Sequence, residues 1–171
     1  MSNSTHFHRQ LLECLRQYSH YCDLRHLNAL AWMVSALICS GQLSLPAWEP
    51  FVPSRAHKAQ SVERRWRRFL DNPRIRVSQL YVPLVLAALS SWQHHRLYLA
   101  LDTTMLWNRY CMIHLSVVCC GRAIPFLWRV LEHGSATVAF KEYKALLRQA
   151  RWLLRHHNDV MLLADRGNAR P

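Results

Sequence analysis

The sequence predicts an α+β protein: a helical, basic region over residues 1–95, followed over 96–171 by a mixed sheet with one crossover helix. Three observations carry that reading. Apolar residues recur at helical spacing up to about Trp92, whereas from Leu97 they run continuously or alternate. A helical period returns once more, over about 138–155. Two runs, Leu97-Tyr98-Leu99-Ala100-Leu101-Asp102 and Val160-Met161-Leu162-Leu163-Ala164-Asp165, say nearly the same thing, five apolar residues closed by an aspartate. With 51% apolar residues in 171, the chain has material for a packed core in one ordinary domain or two small ones.

In the first region, Leu11, Leu15, Tyr18 and Cys22 share one face of a first helix. Asp23 is placed to cap a second helix from Leu24 to Ser40, with Gly41 as its stop. Pro46, Pro50 and Pro53 mark Leu43 to Pro53 as a loop or linker. A helix rich in arginine follows, capped by Ser61 with Glu63 in its first turn and stopped at Asn72-Pro73. The last helix of the region covers Val77 to Trp92, with Pro83 in its first turn or at a kink. The polar run Gln93 to Arg96 closes it.

Charge is large and unevenly placed. Lysine and arginine number 22 against 10 acids, a net +12 that calls for a polyanionic partner. Between positions 55 and 76 stand Arg55, Lys58, Arg64, Arg65, Arg67, Arg68, Arg74 and Arg76, against Glu63 and Asp71. On a helix, Val62, Trp66, Phe69 and Leu70 form an apolar seam, while Arg64, Arg65, Arg67 and Arg68 fill the other side. Arginine's rigid fork of donors suits phosphate, so this face reads as a clamp on a DNA backbone. A solvated surface helix is the plain alternative, and a membrane-surface helix is disfavoured by the short seam.

In the second region, Leu97–Asp102 is the first strand. Ile113, Leu115 and Val117 alternate along a second, Cys119-Cys120-Gly121-Arg122 turns, and Ala123–Leu131 is a third strand that Pro125 assigns to an edge. A helix over about Val138 to Arg155, with Phe140, Tyr143, Leu147, Ala150 and Leu154 on one side, delivers the chain to the second strand ended by aspartate. This order describes the opening half of an RNase H-like domain.

Continuous apolar runs read as strands buried on both faces. If the two lie parallel, about 4.8 Å apart, Asp102 and Asp165 share one crevice and repel unless a cation sits between them. Hard oxygen ligands suit Mg²⁺ or Mn²⁺. An aspartate after a strand is equally a turn residue or helix cap, and Asp102 before Thr103-Thr104 also reads that way.

Six cysteines show no C-x-x-C pair and read as buried free thiols, with Cys119-Cys120 poorly placed to chelate together. The paired histidines read as polar surface. The apolar stretches Leu27–Cys39 and Leu80–Trp92 fall short of the roughly 20 residues of a bilayer span, and no leader pattern opens the chain. A cytoplasmic protein without membrane contact is the expectation.

Leu99-Ala100-Leu101-Asp102-Thr103-Thr104, then Gly121-Arg122-Ala123-Ile124-Pro125-Phe126-Leu127-Trp128, then Leu163-Ala164-Asp165-Arg166-Gly167 resemble the catalytic core of bacterial insertion-sequence transposases of the DDE type. Upstream, Ser61 to Leu70 is similar to the helical DNA-binding region before that core. The resemblance spans about residues 20 to 167. It implies that Asp102 and Asp165 bind two divalent metals, Mg²⁺ or Mn²⁺, and cleave and join phosphodiesters at transposon ends. It further implies that double-stranded DNA is the partner and that Arg166 holds a phosphate, an exposed ion pair being the other reading. Whether the protein is a homodimer stays open.

The family's chemistry needs a third acid, a glutamate on a downstream helix, and neither Glu132 nor Glu142 matches it. The resemblance therefore implies a truncation, by frameshift or premature stop, with little catalysis by this chain alone and an open apolar edge at the last strand. A non-catalytic fragment that occupies transposon ends or inhibits intact transposase is the alternative. A nuclease acting on RNA–DNA hybrids is disfavoured by the long basic helical region.

Overall fold

The computed structural model describes residues 3–21, 23–53 and 59–164. Their elements in chain order are α1 (Asn3–Tyr18), α2 (Leu24–Ser40), a 3₁₀ helix (Leu45–Phe51), α3 (Ala59–Leu70), α4 (Val77–Leu89), a 3₁₀ turn (Ser90–Trp92), β1 (Leu97–Leu106), β2 (Tyr110–Cys119), β3 (Arg122–Glu132), α5 (Phe140–Leu153) and β4 (Val160–Ala164). The chain is thus α+β, and it divides into two compact units, Met1–Ala87 and Ala88–Pro171. The division falls before the polar joint at 93–96. Leu89 belongs with the sheet unit, being buried, and its carbonyl accepts a hydrogen bond from His157 Nε2 at 3.3 Å.

The helical unit follows its end signals. Asp23 caps α2, its carboxylate accepting from the Arg25 backbone N–H at 3.0 Å. Gly41 ends the helix at φ 65°, a left-handed conformation that a side chain would strain, and its N–H donates to Leu37 O. Leu15, Leu27, Ala31 and Leu80 form one core cluster. Tyr18, expected on the same face, is exposed because it closes the last turn of α1, and Cys22 lies outside the described residues.

The expected linker at 43–53 is instead folded. Pro46 and Pro50 bar a long α-helix but not a 3₁₀ segment, and Trp48 and Val52 are buried against Met33, Ala36, Val62, Trp66 and Phe69. The Trp48 indole donates to Gln42 O at 2.6 Å, and its ring meets Trp66 edge-on, centroids 5.5 Å apart.

Pro83 sits in the interior of α4 rather than in its first turn. A proline there frees the carbonyl four residues back. That carbonyl, Gln79 O, accepts from the His20 backbone N–H at 3.0 Å, so the polar group is satisfied and the helix continues.

The sheet has the order β3-β2-β1-β4, with β1–β2 and β2–β3 antiparallel and β1–β4 parallel. Cys120 and Gly121, at φ 50° and 72°, form the tight β2–β3 turn. β3 is an edge strand, and the ladder shifts between Leu115 and Ser116, so that Pro125 meets Ser116 and Phe126 bulges into the interior, fully buried.

Ile113, Leu115 and Val117 are buried on one face, joined there by Leu97, Leu99 and Leu101. The helix α5 covers this face, since Arg129, opposite Ile113, reaches Glu142 of α5 at 2.8 Å. Its buried side carries Tyr143, Leu146 and Ala150, whereas Phe140, in its first turn, is exposed.

Two strand expectations are corrected. β1 is not buried on both faces but alternates, and it runs past Asp102 to Leu106 because Thr103–Leu106 pair with residues 110–113. In β4 all five residues are exposed, because this strand lies at the sheet edge with no neighbour on its outer side among the described residues. No single helix among the described residues is long and apolar enough to cross a membrane.

Candidate functional site

Asp102 stands mid-strand on β1. Side chains alternate across a sheet, so with Leu97, Leu99 and Leu101 buried, Asp102 projects with Tyr98 and Thr104 from the opposite, open face. Its side chain is 64% exposed, enough to meet a solvated ligand. Oδ1 accepts from the Thr103 backbone N–H at 2.8 Å, and Oδ2 lies 3.6 Å from His114 Nε2 across the β1–β2 ladder.

His114 in turn holds Ser116. Its Nδ1 lies 3.2 Å from the Ser116 hydroxyl, within hydrogen-bond reach, while its Nε2 also lies 3.5 Å from the Thr104 hydroxyl. Ser116 is buried to 1% exposure, too enclosed to act as a nucleophile on a large substrate. Asp102, His114 and Ser116 therefore form a polar line across β1 and β2 on the open face. Nothing in the sequence reading singled out His114 or Ser116, yet both alternate with Ile113, Leu115 and Val117, which was enough to place them on the open face. Beside them Met112, Ala123, Pro125 and Trp128 complete an apolar cavity of about 310 Å³.

The parallel β1–β4 pairing is in register from Leu97↔Val160 to Leu101↔Ala164. Asp102 follows Leu101 and Asp165 follows Ala164 in sequence. Asp165 itself lies outside the described residues, as do Arg166, Arg55 and Lys58. Asp102 supplies hard oxygen with open positions, the donor chemistry of Mg²⁺ or Mn²⁺. Among the described residues no three His, Cys, Asp or Glu side chains gather into a metal cage, so Asp102 fits such an ion as one ligand of an incomplete set.

On the other unit, α3 presents Arg64, Arg65, Arg67 and Arg68 to solvent, opposite Val62, Trp66 and Phe69, which are buried. The helix starts at Ala59, ahead of the expected cap, so Ser61 is interior and Glu63 is not in the first turn. Glu63 is instead engaged by Arg67 one turn later, Nε and Nη2 donating to Oε1 at 2.9 and 2.6 Å. No carboxylate among the described residues pairs with Arg64, Arg65 or Arg68, so three of the four guanidinium groups remain for an outside anion. Leu70 lies at the margin of the seam in the last turn and is 61% exposed.

The thiols and imidazoles depart from expectation. Of the described cysteines only Cys111 is buried, while Cys120 is exposed. Several histidines are structural rather than free surface: His8 stacks on Trp32 with centroids 3.9 Å apart, and His26 Nδ1 lies 2.6 Å from the Tyr21 hydroxyl.

A second cavity, about 560 Å³, opens between α5 and β4 on the covered face of the sheet, with Leu99, Leu147, Leu154 and Leu162 in its walls and Arg151 and Arg155 among its polar residues. No family model, no curated protein and no solved structure matches this chain.

Proposed function

We propose that this chain belongs to a DDE-type insertion-sequence transposase with an RNase H-like core, acting on double-stranded DNA at transposon ends. The observation that supports it most is the parallel β1–β4 pairing. Its last described pair, Leu101↔Ala164, immediately precedes the two aspartates in sequence, and Asp102 is exposed on the open face.

In this reading Asp102 and Asp165 hold Mg²⁺ or Mn²⁺, and Arg64, Arg65 and Arg68, with Arg55, Lys58 and Arg166, grip the DNA backbone. A divalent ion held there would supply Lewis acidity toward water or a 3′-hydroxyl and toward the leaving oxygen at a phosphodiester. The chain's own residues orient the first carboxylate: the Thr103 N–H donates to Oδ1 at 2.8 Å, and His114 stands 3.6 Å from Oδ2.

DNA binding without catalysis is the second reading. The arginine face of α3 supports it independently of either aspartate, since no carboxylate among the described residues pairs with Arg64, Arg65 or Arg68.

Paired measurements on the full chain separate the readings. Mn²⁺ binding followed by electron paramagnetic resonance is lost in Asp102→Asn and in Asp165→Asn if the carboxylates converge on metal. Mn²⁺ binding unchanged in both variants removes the chemical basis of the transposase reading. Duplex binding that persists in those variants then leaves the non-catalytic reading standing.

A further inference from the structure

The β2–β3 turn brings two thiols together at the surface. Cys119 ends β2 and Cys120 follows it in the turn at φ 50°, a conformation that few side chains adopt. It puts the two sulfurs 3.6 Å apart, with Cys120 exposed and Cys119 partly so.

That spacing is informative when set against what two thiols can do. A disulfide usually joins Cα atoms about 4.4–6.8 Å apart, whereas neighbours in sequence across a trans peptide are held at about 3.8 Å. Closure on each other is therefore strained. A bridging ion meets no such obstacle. Zinc–thiolate bonds are about 2.3 Å long, so sulfurs 3.6 Å apart subtend about 103° at an ion bonded to both, close to the tetrahedral angle. A two-coordinate linear ion would need the sulfurs well over 4 Å apart at that bond length.

We propose that Cys119 and Cys120 form a two-thiolate site for a soft tetrahedral cation of the zinc and cadmium class, with two further coordination positions open to water or an outside ligand. Binding replaces two S–H bonds with two metal–sulfur bonds and releases two protons to solvent. Nothing is oxidised or reduced.

The site is independent of the DNA reading. Asp102 pairs with His114, and from there to Cys119 is about 17 Å along β2 at about 3.3 Å per residue. The two donor sets also differ in kind, thiolate selecting soft ions and carboxylate selecting Mg²⁺. Both protons must leave for the ion to bind, so affinity rises with pH.

The test is a titration of the full chain under reducing conditions with Cd²⁺, read by the ultraviolet charge-transfer absorption of cadmium–thiolate. Saturable binding is expected, with loss in Cys119→Ser and in Cys120→Ser, retention in Cys14→Ser and Cys39→Ser, and no displacement by excess Mg²⁺. A measurement on the unmutated chain guards against misfolded variants. Cd²⁺ should protect Cys119 and Cys120 from alkylation, mapped by mass spectrometry, while Cys14 and Cys39 still react. Equal protection of Cys14, Cys39, Cys119 and Cys120, or undiminished binding in the Cys119→Ser/Cys120→Ser double variant, overturns the proposal.

Discussion

Asp102 and His114 face each other across the β1–β2 ladder, with Oδ2 and Nε2 3.6 Å apart. The two are unequal in what they do for the fold. Asp102 is mostly in water, and replacing it with Asn should change stability by no more than about 0.5 kcal/mol. His114 is only 20% exposed and is the hydrogen-bond partner of the buried Ser116 hydroxyl. His114→Ala should therefore cost about 1–3 kcal/mol, because it strands a polar group. The His114→Ala/Ser116→Ala double variant should recover part of that loss. Denaturant melts of the four proteins check it, and a double variant no more stable than His114→Ala would show that the Ser116 hydroxyl is not what His114 satisfies.

The arginines of α3 divide by whether Glu63 engages them. Replacing Arg64, Arg65 and Arg68 together with Ala should weaken duplex binding and flatten the slope of log affinity against log salt by up to about 2.7, at about 0.9 per phosphate contact. Arg67→Ala should leave that slope nearly unchanged and cost only about 0.3–0.5 kcal/mol through the lost i,i+4 pair. Binding isotherms at several salt concentrations decide between them. A larger slope change from Arg67 than from the other three would contradict the assignment.

Trp66 and Leu70 both belong to the apolar stripe of α3 in sequence, and the structure separates them. Trp66 is 1% exposed and sits edge-on to Trp48, whereas Leu70 is 61% exposed. Trp66→Ala should destabilise by about 3–5 kcal/mol. Leu70→Ala should stay within about 0.5 kcal/mol. Chemical denaturation of each variant reads the difference directly, and comparable losses would place Leu70 in the core.

Local signals were the legible part of this chain. Asp23 and Gly41 bound α2 as caps must, and the alternation of Ile113, Leu115 and Val117 marks the covered face of β2. What stayed hidden depends on neighbours distant in sequence. Three prolines in 43–53 read as a break, yet Trp48 is recruited to a core that only α2 and α3 together create. Asp102 read as a strand end because a lone carboxylate looks like a turn residue, but pairing of Thr103–Leu106 with 110–113 carries β1 onward. The apolar run of β4 correctly signalled a strand. Its exposure follows from its place at the edge, which composition does not state. The tie from Asp102 through His114 to Ser116 crosses two strands and has no signature along either one.

Acid should loosen the start of α2. The Arg25 side chain, with its backbone N–H, holds the Asp23 carboxyl at a pKa of about 2, below its ordinary 3.8. A carboxyl whose folded value is depressed stabilises the native state above its unfolded value and loses that contribution as pH falls through the folded one. The loss should therefore run from about pH 4 to pH 2. Asp23→Ala should lower the thermal midpoint at neutral pH and remove this part of the acid transition. Thermal melts across that range check it, and an acid limb identical in wild type and variant would rule out the cap as its source.

The last described strand carries a liability that a single charge should relieve. Val160, Met161, Leu162 and Leu163 are each 40–44% exposed on an edge strand without proline, lysine or bulge, the features that ordinarily discourage strands of separate molecules from pairing. The chain should self-associate through this edge as its concentration rises, despite a net charge of +12. Leu163→Lys adds a charge on the open face without entering the cavity beside α5, whose walls include Val160 and Leu162. It should lower light scattering at fixed concentration and leave the circular dichroism spectrum unchanged, whereas a lysine at the exposed Leu43 should do neither more nor less than add charge. Equal relief from both lysines would trace the association to net charge rather than to the β4 edge.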